Sequence, residues 1–273
     1  FEIFSIGPSR LSINGKNLID NWTSQEPGDA FFGMGSAPKR NKIKFQKGKT
    51  YSLEAEYKWE GRFPAVQIGM QAPDQFDLMD EATSLASESD AVILIVGTNS
   101  DWETEGNDRA SLALPSNQDK LIEKICNANK NTVVVLNTGS PCEMPWSENA
   151  EAILQCWFPG QEFGNSLSDI LFGEVNPSGK LPTTFPHKIS DTPAYSTYPG
   201  KDLQMDYEEG LFIGYRWYDK EKIKPLFPFG HGLSYTTFEY SNLRAIPPRG
   251  TSSVAAFAID ITNSGSLAGK EVV

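Results

Sequence analysis

The chain has 273 residues, with 24 Lys and Arg against 35 Asp and Glu and a formal net charge of -11. That balance argues against nucleic acid or an anionic membrane as a partner, since both need clustered Lys and Arg. No apolar stretch approaches the roughly 20 residues of a membrane span. At 39% hydrophobic and 11% aromatic residues the chain reads as globular rather than disordered, with room for two or three compact units.

Residues 1–70 read as all-β. Short alternating runs (Leu11-Ser-Ile-Asn, Ile43-Lys-Phe-Gln, Tyr51 to Tyr57) are separated by turn signals at Asn14-Gly15, Glu26-Pro-Gly28 and Lys47-Gly48. Asn14-Gly15 predicts a tight hairpin. Gly33 and Gly35 beside Phe31-Phe32 predict a bend with a close backbone approach. Trp22, Phe31 and Phe32 fit the core of a β-sandwich better than a sugar-stacking surface. Asn21-Trp-Thr23 is a glycosylation sequon, but it lies within a core motif. The start, Phe1-Glu-Ile-Phe, has neither an initiator Met nor a targeting pattern, and Gly269 to Val273 reads as part of a strand. Both ends read as cut from something longer.

From Gln75 to Asp90, Phe76, Met79, Ala82 and Ala86 recur at helical spacing. Val92 to Val96 then forms a continuous apolar run, the pattern of a parallel strand buried on both faces. Thr132-Val-Val-Val-Leu136 repeats that pattern, and Ala152-Ile-Leu-Gln-Cys-Trp157 is a third strand candidate. Helices are predicted from about Ser116 to Ala128, with capping residues in Ser116-Asn-Gln-Asp, and from Gly164 to Phe172. Strands alternating with helices predict a parallel α/β sheet. Beyond Asn176 the chain becomes rich in Pro, Gly and aromatics and is expected to wrap that unit. Alternation resumes at Phe238-Glu-Tyr and at Ala256-Phe-Ala-Ile-Asp-Ile-Thr262. The three cysteines (Cys126, Cys142, Cys156) form no disulfide or zinc pattern, and His187 and His231 have no ligating neighbour in sequence. No metal and no cofactor are expected.

Gly97 ends the first apolar run. The loop after it places Asp101, Glu103, Glu105, Asp108, Trp102 and Arg109 within a few residues. In open α/β sheets, the loop leaving the carboxyl end of a strand is where ligands are usually handled. An acidic loop repels phosphate and no Gly-rich phosphate loop follows any strand, which disfavours nucleotide binding.

Several segments in one order resemble a family 3 glycoside hydrolase of the β-glucosidase type. They are Trp102-Glu-Thr-Glu-Gly-Asn-Asp-Arg109 with Leu112-Ala-Leu-Pro115, Asn137-Thr-Gly-Ser-Pro-Cys-Glu-Met-Pro-Trp146 and Trp157-Phe-Pro-Gly-Gln-Glu162. Asn176-Pro-Ser-Gly-Lys-Leu-Pro-Thr-Thr-Phe-Pro186, Gly210-Leu-Phe-Ile-Gly-Tyr-Arg216 and Phe227-Pro-Phe-Gly-His-Gly-Leu-Ser-Tyr-Thr-Thr-Phe238 follow. Ser5 to Gly35 resembles the later part of a protective-antigen-like β-sandwich found inserted in some members. The resemblance implies a multidomain α/β plus all-β chain. Residues 1–70 would be the C-terminal part of the protective-antigen-like sandwich. Residues 71–235 would be the α/β sandwich domain with the acid/base loop, and 236–273 the start of a fibronectin type III-like domain.

It also implies a retaining mechanism with two carboxylates about 5–5.5 Å apart. In the family the nucleophile is an aspartate on an N-terminal (β/α)8 barrel, which this chain lacks. The acid/base is a glutamate in the loop matched here by Asp101 to Arg109. Ser100-Asp101-Trp102 echoes the nucleophile motif but sits in the wrong domain. The Glu-Gly-x-Asp-Arg pattern favours Glu105 as acid/base. A different loop spacing in some members makes Glu103 the second choice. Trp102 is the candidate substrate contact. Arg109 is expected to pair with Asp108, while Glu143, Glu162 and Trp146 are expected to be framework. The implied partners are a β-glucoside or oligosaccharide substrate and the barrel of the same polypeptide. The competing reading is a non-catalytic carbohydrate-binding module.

Overall fold

A computed structural model of the chain describes residues 1–59, 63–72, 77–106, 108–247 and 255–273. It is a mixed α/β structure with several small sheets, and it divides into two units, Phe1–Asp77 and Leu78–Val273.

The first unit carries two three-stranded antiparallel sheets. One has the order β4-β1-β6, from β1 (Glu2–Ile6), β4 (Lys39–Arg40) and β6 (Ala65–Gly69). The other has the order β3-β2-β5, from β2 (Ser9–Ile13), β3 (Lys16–Asn21) and β5 (Leu53–Tyr57). Asn14 and Gly15 join β2 to β3 with positive φ at both, 49° and 72°, which is what a two-residue hairpin turn demands. The expected strand at Ile43 to Gln46 does not form; the short β4 takes the pairing position beside β1 instead.

The core of this unit is Ile3, Leu11 and Ile19. The aromatic trio does not fill it as expected. Phe32 is 90% exposed, Phe31 packs on the Phe4 ring at 5.5 Å, and Trp22 lies beneath the Arg10 guanidinium at 5.1 Å. Phe31 and Phe32 sit in consecutive left-handed conformations (φ 55° and 61°), which turns Phe32 outward from the bend.

Asn21, fully buried, points its amide at the Ser5, Ser9 and Ser36 hydroxyls at 3.2, 3.1 and 2.9 Å. A glycan on that nitrogen would abolish those bonds and block closure of the core. Folded protein secreted from a glycosylating host is therefore expected to carry no glycan at Asn21, as read by intact mass. Asn21→Ala should lower stability by about 1–3 kcal/mol in urea unfolding, because it strands buried hydroxyls.

The second unit is built on a parallel sheet of order β7-β8-β9, from β7 (Val92–Gly97), β8 (Thr132–Asn137) and β9 (Ala152–Gln155). Its helices are α1 (Leu78–Glu88), α2 (Gln118–Ala128) and α3 (Phe163–Leu171). The α1 helix accounts for the predicted spacing of Met79, Ala82 and Ala86, with Ala86 buried; Gln75 and Phe76 lie outside the described residues. The strand buried on both faces is β8, where Val134, Val135 and Leu136 are fully inaccessible. By contrast, among the described residues β7 pairs with β8 alone and its Ile93 and Ile95 are about half exposed, a departure from the expected strand covered on both faces. An apolar run reports burial on at least one face and cannot say how many neighbours the strand has.

Residues 176–186 and 225–231 wrap the unit as expected. Phe185 and Phe227 exchange backbone bonds, Leu181 bonds His231, and Phe185, Leu181, Leu226 and Phe227 pack on the core. A fourth helix, α4 (Tyr215–Glu221), follows Gly214. The unit ends in an antiparallel pair, β10 (Phe238–Ile246) and β11 (Ala256–Asn263).

Candidate active site

The parallel register sets Gly97 opposite Asn137, so the loops leaving β7 and β8 emerge side by side. The β7 loop turns at once. The Asn99 carbonyl accepts from the Trp102 and Glu103 amides, and the Asn99 side chain accepts from the Asp101 amide at 3.1 Å. Two turns made by one asparagine fix the start of the acidic loop. The predicted side-chain cap at the start of α2 is not used: the Asn117 carbonyl accepts from the Leu121 amide at 2.9 Å, but the Asn117 side chain makes no capping bond. Gln118 instead reaches back to Gly97, with the Gly97 amide donating to its side-chain oxygen and its amide donating to the Gly97 carbonyl, both at 2.8 Å.

Glu103 and Glu105, two residues apart, have opposite surroundings. Glu103 Oε1 accepts from the Thr98 hydroxyl and from the Gly139 amide at 3.0 Å, and its Oε2 accepts from the Ser140 hydroxyl at 3.2 Å. Its side chain is only 15% exposed. Glu105 is exposed and lies next to Gly106, which has φ 84°, a conformation that suits glycine. Both carboxylates line an open recess of about 410 Å³ with Trp102, Thr104, Asp108 and Arg109. Asn107 of the motif lies outside the described residues. Trp102 is half-buried, and its indole N–H has no hydrogen-bond partner among the described residues.

Arg109 departs from expectation. Its guanidinium donates to the Ser140 hydroxyl at 2.6 Å and stands 4.0 Å from the Glu103 carboxylate, rather than pairing with Asp108. Asp108 instead receives the Tyr198 hydroxyl, which raises the Tyr198 pKa. The reason is burial: with 14% of its side chain exposed, Arg109 is stabilised by a counter-charge as little exposed as itself, and exposed Asp108 is not.

Trp146, 2% exposed, donates its indole N–H to Asp119 at 2.8 Å, and the Ile189 amide donates to Glu143 at 2.8 Å. Burial raises the Asp119 pKa against the opposing hydrogen bonds from Trp146 and the Leu114 amide. Burial also pushes the Cys142 thiol up to about 12, so it stays protonated and unreactive. Glu162 accepts from the neighbouring Gln161 and Asn165 side-chain amides. Gly139 and Ser140 fall within the Asn137 to Trp146 motif, which does not mark them as partners of the acidic loop, and Thr98 falls in no motif. The signal for them was the paired ending of two buried strand runs, each followed by small and hydroxylated residues.

A parallel α/β sheet with a carboxylate-rich recess at the carboxyl end of its strands is the arrangement of a ligand-handling α/β domain. The chain belongs to glycosyl hydrolase family 3: residues 17–235 match the profile described as the glycosyl hydrolase family 3 C-terminal domain. All of the chain aligns with 35% of a probable beta-glucosidase I of Aspergillus terreus at 36% identity, and with 35% of a beta-glucosidase of Rhizobium radiobacter at 38% identity. The crystal structure of a beta-glucosidase from Kluyveromyces marxianus superposes with a TM-score of 0.84 at 36% identity, over 98% of this chain and 32% of that one. The chain thus spans about a third of the length of these relatives.

Proposed function

We propose that this chain supplies the acid/base half of a retaining β-glycosidase of the β-glucosidase type, acting on terminal non-reducing β-D-glucosyl residues. Glu105 is the general acid/base. The nucleophile is an aspartate on an N-terminal barrel of the same polypeptide, and Trp102 contacts the sugar. Residues 1–70 are a protective-antigen-like sandwich portion, 71–235 the α/β sandwich domain and 236–273 the start of a fibronectin-like domain.

The observation that carries this reading is the contrast between the two glutamates. A group that passes a proton to a leaving oxygen and takes one from water must reach the reacting atoms. Glu105 is exposed at the recess with its oxygens free of hydrogen-bond donors among the described residues, whereas Glu103 is held by Thr98, Gly139 and Ser140. The family and the names of the relatives support the β-glucosidase reading.

The purified chain alone should hydrolyse aryl β-glucosides negligibly. The polypeptide joining it to its barrel should release β-glucose first, as followed by proton NMR of the anomeric signal. Robust turnover by the chain alone, or an α-anomer as first product, would sink the proposal. Glycan binding without hydrolysis by the joined polypeptide would favour a binding module.

A further inference from the structure

We propose that Glu103 is a positioning residue for the acid/base: clamped to the β8 loop and paired with half-buried Arg109, it fixes where the next turn of the loop holds Glu105. This rests on the reading of Glu105 given above and assigns a task to a carboxylate that reading leaves unused.

The clamp has three donors on two elements. Thr98 follows β7, while Gly139 and Ser140 follow β8, and all three converge on one carboxylate. The Ser140 hydroxyl is shared: it accepts from Arg109 and donates to Glu103, closing a ring of Glu103, Ser140 and Arg109. That ring spans the loop from its third residue after Ser100 to its end, with Glu105 between the two anchors. The fit is tight. A Cβ on Gly139 would stand 2.6 Å from Glu103 Oε2 and 2.6 Å from the Phe158 ring, so glycine there is what lets the carboxylate approach the backbone. Arg109 Nε and Nη2 are buried without a hydrogen-bond partner among the described residues, and Glu103 is the acid within ion-pair distance of the guanidinium. Neutralising Glu103 therefore leaves a poorly compensated, largely desolvated cation, and the loop between the anchors has a reason to move.

Movement of the acid should harm one step above the others. Departure of a basic phenol or alcohol needs a proton delivered along the glycosidic oxygen, whereas dinitrophenolate leaves without one. A displacement near 1 Å at a reacting group can lower a rate by about 100-fold. Glu103→Gln in the barrel-containing polypeptide should thus lower kcat/KM on phenyl β-glucoside by about 10- to 100-fold. On 2,4-dinitrophenyl β-glucoside it should change kcat/KM by less than about threefold, since no protonation is lost there. Ser140→Ala, which cuts the shared hydroxyl without changing charge, should give the same selectivity with a smaller loss.

Azide separates positioning from catalysis. Glu105→Gln removes the carboxylate beside the glycosyl-enzyme, so azide can attack the anomeric carbon, displace the nucleophile aspartate and appear as β-glucosyl azide. Glu103→Gln keeps the Glu105 carboxylate, and azide should not restore its rate. An equal loss on both substrates, or no loss on either, in Glu103→Gln and Ser140→Ala would overturn the positioning role. The assignment of Glu105 would then stand, provided azide rescues Glu105→Gln. Azide rescue of Glu103→Gln and not of Glu105→Gln would make Glu103 the acid and overturn both.

Discussion

Glu105→Gln, made in the polypeptide that joins this chain to its barrel, is expected to lower kcat/KM on phenyl β-glucoside by roughly 100- to 10,000-fold, the usual contribution of a positioned general acid or base. The glutamine keeps the size and polarity of the side chain and removes only the transferable proton. Because Glu105 is exposed and accepts no hydrogen bond from the described residues, the exchange should leave the fold untouched. Surface substitutions of this kind usually stay within about 0.5 kcal/mol. Loss of rate with an unchanged melting temperature is thus the expected pair of results. On a dinitrophenyl glucoside the first step should survive and the glycosyl-enzyme should accumulate, because the base that activates water is also gone. A burst of dinitrophenol followed by slow turnover would show this directly. If Glu105→Gln retains wild-type kcat/KM on the phenyl substrate, Glu105 is not the acid.

How much of this was legible in the sequence differs from segment to segment. The hairpin at Asn14-Gly15 was, because an Asn-Gly pair between alternating residues has few other places to go. The parallel sheet was as well: Val92 to Val96, Thr132 to Leu136 and Ala152 onward became β7, β8 and β9 in that order. What the sequence could not convey is which strand is central, since Ile93 and Ile95 are as apolar as Val133 and Val135 yet half exposed. Nor could it show that α2 starts without a side-chain cap from Asn117, or that Gln118 is drawn to Gly97 by a contact from another element. Phe32 illustrates a third limit. Its chemistry predicts a core position, but the left-handed backbone at Phe31 and Phe32 directs it outward.

At the candidate site, the residue types in the acidic loop were legible and their division of labour was not. Glu103 and Glu105 have the same side chain two residues apart, and motif spacing alone ranks one over the other without a physical reason. The reason lies in residues about 35 positions away along the chain, Gly139 and Ser140, which reach Glu103 only because the sheet is parallel and the two strands end level. Arg109 was assigned to its sequence neighbour Asp108 for want of that information. Local pattern favours near partners, whereas burial selects Glu103.

Gly97→Ala should be among the most damaging single methyls in the second unit. A Cβ at Gly97 would lie 2.1 Å from the Asn137 carbonyl oxygen and 2.8 Å from its carbon, both backbone atoms of the adjacent strand. A flexible side chain could swing aside; a paired strand cannot. Relief requires β7 and β8 to part at their carboxyl ends, which strains the Thr98 amide bond to the same Asn137 carbonyl and both bonds between Gly97 and Gln118. Overpacking of this kind, with backbone hydrogen bonds at risk, should lower stability by roughly 2–4 kcal/mol in urea unfolding. Amide exchange of Val134, Val135 and Leu136 should speed up more than tenfold. Gly164→Ala is the matched control: nothing lies within 4 Å of its added methyl, it sits in α3, and it should be neutral or stabilising by up to about 1 kcal/mol. The same displacement carries Thr98 away from Glu103, so the folded fraction of Gly97→Ala in the barrel-containing polypeptide should also show the leaving-group selectivity expected of Glu103→Gln. An unchanged urea midpoint for Gly97→Ala would mean that β7 and β8 part at little expense, and the level strand ends could not then be what holds Glu103 in place.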